Sequence, residues 1–382
     1  MPIKPQLHAG TFVNQALGAH MTKAIGLARE VLGSTSPNPA VGAVLVKDGV
    51  EIGSGFTLPP GKWHAEIGAL KQAGEASRGS TLFTTLEPCC TYGRTPPCTK
   101  SIINAGVKRV HVAVIDPNPN VSGKGCEELR SAGIEVLVED GPQEALELYE
   151  GFAKHVNTGM PFVSAKFAMS LDGKIATRTG DSKWVTGPDA RQHVQEMRRQ
   201  SDAILVGINT VLADDPLLTV RDVDGRPLPR QPLRVIVDSH CRTPASAQTL
   251  SQPGSTLIAT VDGAPQGNVA QLEQAGAEVF ALPAGPDGRV KMQNLLEELG
   301  RRGIVNLLVE GGGVLLGSLF DAGFVDKVHA FIAPVIIGGQ DAASPVEGQG
   351  IELMTHAWNI NRPTLRAIGP DWLVVGYPAQ RP

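Results

Sequence analysis

The stretch His64-Ala65-Glu66 is followed downstream by Pro88-Cys89 and then by Cys98, and this ordered set decides the fold expected for the first half of the chain. One histidine and two cysteines can supply three ligands to a zinc ion and leave the fourth position to water, as in catalytic zinc sites. Glu66 is not needed as a ligand, so it is free to move a proton between that water and a leaving amine. The pattern therefore predicts a hydrolytic zinc centre.

The order of these residues is typical of the zinc deaminases that act on nucleobases. In those proteins the second cysteine usually follows the first within three residues, whereas here residues 90–97 separate Cys89 from Cys98. Cys90 could replace Cys89 as a ligand, although the Pro-Cys order favours Cys89. The alternative is that these are ordinary buried side chains, and the complete ordered set argues against it. Cys126 and Cys241 belong to no motif and are expected to be plain thiols.

Length and composition limit the classes of protein to consider. A chain of 382 residues with 42% hydrophobic and 19% charged residues is expected to form two globular domains. The net charge of −4 gives no reason to expect a nucleic-acid partner, and no apolar run approaches the ~20 residues that cross a bilayer. The first twenty residues do not resemble a secretory signal, and the five cysteines make a poor disulfide framework. We therefore expect a cytoplasmic protein without membrane partners.

The first half of the chain alternates helical and strand patterns, which favours a sheet covered by helices on both faces. An N-terminal arm at residues 1–19 should precede a first domain at 20–157 and a second domain at 158–382, with a linker near 157–161. Helices should start near His64 and near Cys98, so that two helix N-termini point at the zinc centre and favour thiolates. The remaining expected helices are residues 20–32, 125–132 and 143–154, and the expected strands are 41–46, 81–86, 110–115 and 134–138.

The second half begins another strand series, at residues 162–169, 203–206, 233–238, 256–260, 278–282, 305–310 and 327–333. Within it, the run from Val309 to Gly313 is a strand end followed by a glycine turn and a helix start. Such a turn can bring backbone amides to a phosphate, or it can serve only tight packing, and the segment alone leaves both open. Arg198 and Arg221 are either phosphate ligands or solvated surface residues. Trp184 is either a ring-stacking platform or a domain contact.

The two halves together resemble one family, the bifunctional riboflavin biosynthesis proteins. These join a diaminohydroxyphosphoribosylaminopyrimidine deaminase to a 5-amino-6-(5-phosphoribosylamino)uracil reductase. The resemblance extends over nearly everything after the N-terminal arm. It rests on the following stretches: Pro37-Asn38-Pro39-Ala40-Val41-Gly42, His64-Ala65-Glu66, Leu86-Glu87-Pro88-Cys89, Gly93-Arg94-Thr95-Pro96-Pro97-Cys98, Asp116-Pro117-Asn118-Pro119, Ser170-Leu171-Asp172-Gly173-Lys174, Val211-Leu212-Ala213-Asp214-Asp215-Pro216 and Val309-Glu310-Gly311-Gly312.

The resemblance implies an α/β protein with an N-terminal cytidine-deaminase-like three-layer domain and a C-terminal dihydrofolate-reductase-like domain. It implies Zn²⁺ and NADPH as cofactors and a phosphoribosyl pyrimidine as the substrate. The first site would deaminate the pyrimidine by hydrolysis, and the second would reduce its ribosyl group to ribityl. We also expect a homo-oligomer.

Site residues carry over by motif. His64, Cys89 and Cys98 would bind zinc, with Glu66 as the proton carrier. Lys166 and Glu310 would face the ribose as catalytic residues of the reductase. The residues that would contact NADPH are Ala168, Trp184, Thr210, Asp214, Ser239, Gly312, Gly313, Val314, Leu315, Leu316, Gly317 and Ser318. The residues that would contact substrate are Asn38 and Arg94 in the deaminase site and Ser182, Arg198, Leu218, Arg221 and Glu310 in the reductase site.

Two other interpretations remain. The first is a zinc nucleoside or tRNA deaminase with an accessory binding domain, but a tRNA enzyme should present a basic face that this composition does not offer. The second is a degenerate deaminase that serves as a scaffold, which loss of Glu66 or of a ligand would have supported. All four residues are present.

Overall fold

The computed structural model describes residues 18–93, 96–139 and 141–380, without the side chain of Gln380. It contains a five-stranded sheet in the first half of the chain and a nine-stranded sheet in the second half. The expected N-terminal arm lies outside the described residues except for Gly18 and Ala19. The α/β class is confirmed, with one apolar core under the first sheet and further apolar clusters about the second.

The first sheet has the strand order β2-β1-β3-β4-β5, in which β2 and β3 both pair antiparallel to β1 and the remaining pairs are parallel. Its central strands are apolar and buried because helices cover both faces. The strands are β1 (Gly42–Lys47), β2 (Val50–Phe56), β3 (Thr81–Leu86), β4 (Arg109–Val114) and β5 (Glu135–Val138), and the helices are α1 (Ala19–Val31), α2 (Ala65–Ala73), α3 (Cys98–Asn104), α4 (Lys124–Ser131), α5 (Gln143–Leu146) and α6 (Glu150–Thr158). Short 3₁₀ turns span Gly74–Ser77 and Glu147–Tyr149.

The second sheet has the strand order β10-β9-β8-β7-β11-β6-β12-β14-β13. All neighbouring strands are parallel up to β12, and β14 pairs antiparallel with both β12 and β13. The strands are β6 (Phe162–Ser170), β7 (Ala203–Gly207), β8 (Leu233–Val237), β9 (Thr256–Val261), β10 (Glu278–Leu282), β11 (Asn306–Val309), β12 (Lys327–Ala333), β13 (Trp358–Ile368) and β14 (Asp371–Gln380). The helices are α7 (Pro188–Arg199), α8 (Ile208–Asp214), α9 (Gln248–Ser251), α10 (Gln266–Gln274), α11 (Met292–Arg301) and α12 (Gly313–Asp321), with a 3₁₀ turn at Met354–His356.

Every strand expected from the sequence is present, but β2, β13 and β14 were not expected. The case of β13 and β14 has a physical reason. These two strands form a long hairpin at one edge of the sheet, and β13 is exposed along most of its length. An exposed strand lacks the alternation of apolar and polar residues that marks a half-buried one. Pro363 and Pro378 also lie within the hairpin, and proline argues against a strand in a sequence pattern.

Helix α6 connects the two halves and packs against both. Phe152 and Val156 join the core of the first half. On the other side, Lys154 forms an ion pair with Asp326 and Glu150 forms one with Lys327. The linker expected at residues 157–161 is therefore shorter than predicted, because α6 continues to Thr158 and stops where Gly159 adopts a left-handed conformation (φ 72°).

Within the described ranges, no helix combines the length and the apolar character needed to cross a membrane.

Candidate active sites

The three expected zinc ligands come together between the ends of three elements. His64 is the residue before α2, Cys98 is the first residue of α3, and Cys89 follows β3. The His64 Nδ1 atom lies 3.6 Å from Cys89 Sγ and 3.3 Å from Cys98 Sγ. All three ligand atoms lie within 4.8 Å of one another, and no other such group of three was found in the part of the chain that the structure describes. The expectation of two helix N-termini at this point is confirmed.

The donor set fits a zinc ion. One nitrogen and two sulfur atoms are ligands that zinc prefers, and bond lengths of about 2.0–2.3 Å in a tetrahedron separate ligand atoms by roughly 3.5 Å. A hydrogen bond with the Cys98 thiol, together with one from His64, lowers the pKa of the Cys89 thiol, which favours the thiolate form that binds a metal. Cys90 is not part of the cluster, and burial raises the pKa of its thiol. Geometry therefore favours Cys89 over Cys90.

Glu66 lies in the first turn of α2, next to the ligands and almost fully buried. Its Oε2 atom accepts a hydrogen bond from the Cys98 thiol at 3.5 Å. Burial raises the pKa of the Glu66 carboxyl to about 7. A carboxyl group with a pKa near neutrality can both take up and release a proton, which suits an acid–base role.

Glu87 belongs to the motif Leu86-Glu87-Pro88-Cys89, but no role was expected for it from the sequence. Its buried carboxylate accepts hydrogen bonds from three backbone amides, those of Asp116 (3.1 Å), Gly123 (2.8 Å) and Cys126 (3.0 Å). It thereby joins the end of β3, which leads to Cys89, to the start of α4. The position of Glu87, two residues before the ligand Cys89, is the one feature of the sequence that could have indicated a structural role. Its three backbone partners are evident only in the folded chain.

The two substrate residues expected in this first site have different outcomes. Asn38 lies in a tight turn. Its backbone N–H donates to the Thr35 backbone carbonyl at 2.9 Å, and its backbone carbonyl accepts from the Thr35 hydroxyl at 3.0 Å. Arg94 lies outside the described residues.

A cavity of about 2030 Å³ opens in the second half of the chain. Among the residues that line it, Arg198 forms a bidentate ion pair with Glu310, with Nε–Oε1 and Nη2–Oε2 distances of 2.6 and 3.0 Å. Lys166 Nζ lies 3.9 Å from Glu310 Oε2. β6 carries Lys166 and Glu310 follows the adjacent strand β11, so the central pair of strands places them together.

The electrostatics of this cluster follow from burial and charge. Burial acts to raise the pKa of Glu310, but the charges of Arg198 and Lys166 outweigh it and lower the pKa overall. Burial also lowers the pKa of the Lys166 ammonium group. The cluster therefore holds an ionised carboxylate between two cations, and Lys166 gives up its proton more readily than a surface lysine does.

Most of the expected reductase residues line this cavity, and two do not. Leu316 is fully buried in the core, and Gly317 lies against the backbone of Glu347 and Gly348. Both residues lie on sides of α12 that pack against other parts of the protein. A motif in the sequence does not show which side of a helix faces a cavity. The residues that line the cavity are Ala168, Trp184, Thr210, Asp214, Ser239, Gly312, Gly313, Val314, Leu315 and Ser318 of the cofactor set and Ser182, Arg198, Leu218, Arg221 and Glu310 of the substrate set.

Polar groups in the cavity wall suit an anionic dinucleotide. The Gly312 amide, just before α12, donates to Thr210 Oγ1 at 3.2 Å. A Cβ atom on Gly313 would lie 2.4 Å from the Ser344 carbonyl oxygen, so only glycine fits at this helix start. The buried Arg221 Nε atom has no hydrogen-bond partner among the described residues. The helix N-terminus, the Arg221 side chain in the cavity lining and the volume fit NADPH together with a phosphorylated substrate.

A zinc-type deaminase unit joined to a reductase unit with a cofactor-sized cavity defines a class of bifunctional enzymes. Residues 15–114 match the cytidine and deoxycytidylate deaminase zinc-binding region, and residues 161–374 match the RibD C-terminal domain. The chain belongs to the RibD family of riboflavin biosynthesis proteins.

Relatives and solved structures agree over nearly the whole chain. The chain is 42% identical to riboflavin biosynthesis protein RibD of Actinobacillus pleuropneumoniae over 93% of each protein. It is 39% identical to the Escherichia coli (strain K12) protein over 92% of this chain and 96% of the relative. Among solved structures, RibD of Acinetobacter baumannii (form 1) superposes with a TM-score of 0.83 at 38% identity, covering 94% of this chain and 98% of that one. The Thermotoga maritima deaminase/reductase superposes with a TM-score of 0.81 at 35% identity, with the same coverage.

Proposed function

We propose that the chain catalyses two successive steps of riboflavin biosynthesis. The first is the zinc-dependent hydrolytic deamination of 2,5-diamino-6-ribosylamino-4(3H)-pyrimidinone 5′-phosphate. The second is the NADPH-dependent reduction of the ribosyl group to ribityl. The observation that carries the proposal is the presence, in one chain of this family, of a complete His64, Cys89 and Cys98 ligand set beside Glu66 and a cavity built around Lys166 and Glu310. A nucleoside or tRNA deaminase is not favoured, because the second half matches a reductase domain.

In the first site, His64, Cys89 and Cys98 would hold zinc, which when bound supplies an activated water at neutral pH. Glu66 would accept a proton from that water and donate it to the departing ammonia. Its buried position beside the ligands supports this role, because proton transfer requires the carboxyl to lie within hydrogen-bonding distance of the reacting groups. Asn38 and Arg94 would hold the pyrimidine.

In the second site, the residues that line the cavity would hold NADPH, which when bound would supply a hydride for reduction of the carbonyl carbon of the opened ribose. Arg198 holds Glu310 in place through two hydrogen bonds, and Glu310 and Lys166 would face the ribose. Lys166 is suited to donate the proton that the new alkoxide needs, because burial lowers its pKa. Arg221, which lines the cavity, would bind the substrate phosphate.

Isotope labelling tests the two steps together. The purified protein would be incubated with the diaminopyrimidine ribotide in the presence or absence of NADPH deuterated at the transferred position. We expect ammonia release under both conditions and, with the cofactor, a product that mass spectrometry shows to carry deuterium on the sugar chain. Deuterium on the pyrimidine ring, or no NADPH consumption, would refute the proposed reduction.

We propose domain limits of 20–157 for the deaminase and 158–382 for the reductase, after an arm at 1–19. Support comes from the two separate sheets and from the end of α6 at Thr158. We also propose a cytoplasmic location and no nucleic-acid partner, supported by the unpaired state of all five cysteines and by the net charge of −4.

We propose that the protein is a homo-oligomer. The exposed edge strand β13 and the apolar side chains Leu365 and Trp372, which are 69% and 38% exposed, support this. A strand edge of this kind pairs readily with another copy. Light scattering should give a mass of at least twice 40.2 kDa, and Leu365→Lys should lower that mass. A monomeric wild-type protein at micromolar concentration would contradict the proposal.

A further inference from the structure

The turn that carries Asn38 in the first domain lies directly against the second domain. The Ser36 side chain lies close enough to the carboxylate of Asp202 to act on its pKa, lowering it against the effect of burial, and Asp202 is almost fully buried just before β7. On one side of that contact, a Cβ atom on Gly33 would lie 2.6 Å from the carbonyl oxygen of Arg199. On the other side, a Cβ atom on Gly303 would lie 3.9 Å from Pro37. The backbone of residues 33–38 thus rests closely on the second domain.

Arg199 adds a further connection between the domains. Its guanidinium group donates to the carbonyl oxygens of Glu30 at 2.9 Å and Arg29 at 3.5 Å, which lie at the end of α1. Carbonyl groups in the last turn of a helix accept few hydrogen bonds within the helix, so Arg199 adds donors there, beside the Leu32 amide that donates to the Arg29 carbonyl at 3.4 Å. Glu196, one turn earlier on α7, holds the same guanidinium through two hydrogen bonds of 2.6 and 2.7 Å. The ion pair with Glu196 therefore fixes the orientation in which the Arg199 side chain contacts α1.

Two consecutive residues at the end of α7 thus contact different domains. Arg198 holds Glu310 at the base of the reductase cavity. Arg199 holds the end of α1, which leads directly into residues 33–38. A single rigid helix end therefore connects the catalytic cluster of the second domain with the Asn38 turn of the first.

We propose that the second domain positions the substrate-binding turn of the deaminase site, with Arg199 and Asp202 as the positioning residues. The inference rests on the proposed function, in particular on Asn38 as a substrate contact. The hydrogen bonds between Asn38 and Thr35 make the turn rigid, so a shift at Ser36 moves Asn38 as well. The zinc ligands and Glu66 lie on other elements and do not depend on these contacts.

The inference predicts a specific kinetic signature in the full-length zinc-loaded enzyme. Arg199→Ala and Ser36→Ala should each raise the deaminase KM by roughly 3–10-fold, the effect expected from losing one or two hydrogen bonds, and leave kcat within about 2-fold. Arg199→Lys retains a cationic donor and should fall between Arg199→Ala and the wild type. Asp202 is unsuitable for the test, because its carboxylate also accepts from the amides of Val305 and Asn306 and its loss would disturb β11.

The experiment measures ammonia release against substrate concentration, with zinc content determined for each variant. Arg109→Ala is the matched control, because Arg109 is an exposed arginine whose ion pair with Glu135 joins β4 to β5 within the first domain. Asn38→Ala is the reference for loss of the substrate contact. A raised KM in Ser36→Ala and Arg199→Ala, with full zinc content and a normal control, supports the inference.

Two results would overturn it in distinguishable ways. If Asn38→Ala raises KM but Ser36→Ala and Arg199→Ala do not, the turn holds its position without the second domain. If Asn38→Ala leaves KM unchanged, the proposed substrate role of Asn38 is wrong and the inference fails with it. A proportional loss of zinc and kcat in the two variants would indicate general destabilisation and would also count against positioning.

Discussion

At the scale of single residues, the zinc centre shows what a sequence motif can and cannot specify. His64, Cys89 and Cys98 were predicted as a ligand set because residue type, order and helix starts all pointed to the same chemistry, and the geometry brings them together. Glu87 and Asp202 were not predicted to matter. Their importance comes from backbone amides and a hydroxyl that reach them from distant segments, and no local pattern encodes such partners.

Substitution of the second cysteine distinguishes ligands from neighbouring thiols. Cys98→Ser should lose tightly bound zinc and with it ammonia release, because a serine hydroxyl is a poor zinc ligand at neutral pH. Cys90→Ser is the matched control and should retain one zinc per chain, since Cys90 lies outside the ligand cluster. Metal analysis of the purified variants provides the measurement. Zinc loss from the Cys90 variant with retention in the Cys98 variant would reverse the assignment.

Substitution of Glu66 distinguishes zinc binding from proton transfer in the deaminase site. Glu66→Gln should keep the zinc and reduce the deamination rate by about 10²–10⁴-fold, because glutamine has the same size but cannot transfer a proton. Reduction should persist when deaminated substrate is supplied, since Glu66 does not line the reductase cavity. Steady-state ammonia release and NADPH oxidation measure the two activities. A normal deamination rate in this variant would exclude the role.

At the scale of helices and strands, the sequence predicts best those elements that are buried and whose apolar residues recur at regular intervals. β3 and β12 have the limits that the apolar pattern indicated, because strands in a covered sheet are mostly apolar. The β13–β14 hairpin escaped prediction, since its exposed edge strand has no face that must be apolar. The inward positions of Leu316 and Gly317 also escaped it, because the packing of α12 against the core and the residues 344–348 decides which face meets the cavity.

The packing of α4 against the zinc loop provides a test at this scale. A Cβ atom on Gly125 would lie 2.1 Å from the Pro88 carbonyl oxygen, so Gly125→Ala should displace the segment that carries Cys89. We expect a loss of about 1–3 kcal/mol in the free energy of unfolding and weaker zinc binding.

Gly26→Ala in α1 is the matched control for this substitution. The site has open space around it and lies inside a helix, so the change should stabilise the protein by about 0.5–1 kcal/mol. Thermal unfolding and zinc titration measure both effects. If Gly125→Ala and Gly26→Ala have the same stability and zinc affinity, the close approach of α4 to Pro88 does not hold the segment that carries Cys89.

At the scale of the whole molecule, the two sites occupy separate sheets with separate cofactors. Removing zinc with a chelator should abolish ammonia release and leave the reduction of deaminated substrate unchanged, because none of the zinc ligands lines the reductase cavity. Adding zinc back should restore deamination. NADPH oxidation followed by absorbance, with and without chelator, measures the second activity. Loss of both activities on chelation would show that the metal also supports the second domain.

The central position of β6 and β11 has a further consequence, for the order in which the two sites assemble. The zinc ligands span residues 64–98, whereas Lys166 and Glu310 meet only after β7 to β10 have been placed and β11 inserts between β7 and β6. Contacts between distant segments form slowly, because closing a long loop costs chain entropy before the contact is made. After dilution from denaturant, zinc uptake reported by a fluorescent chelator should therefore precede the return of NADPH oxidation. Simultaneous recovery of the two signals would mean that both domains fold as one cooperative unit.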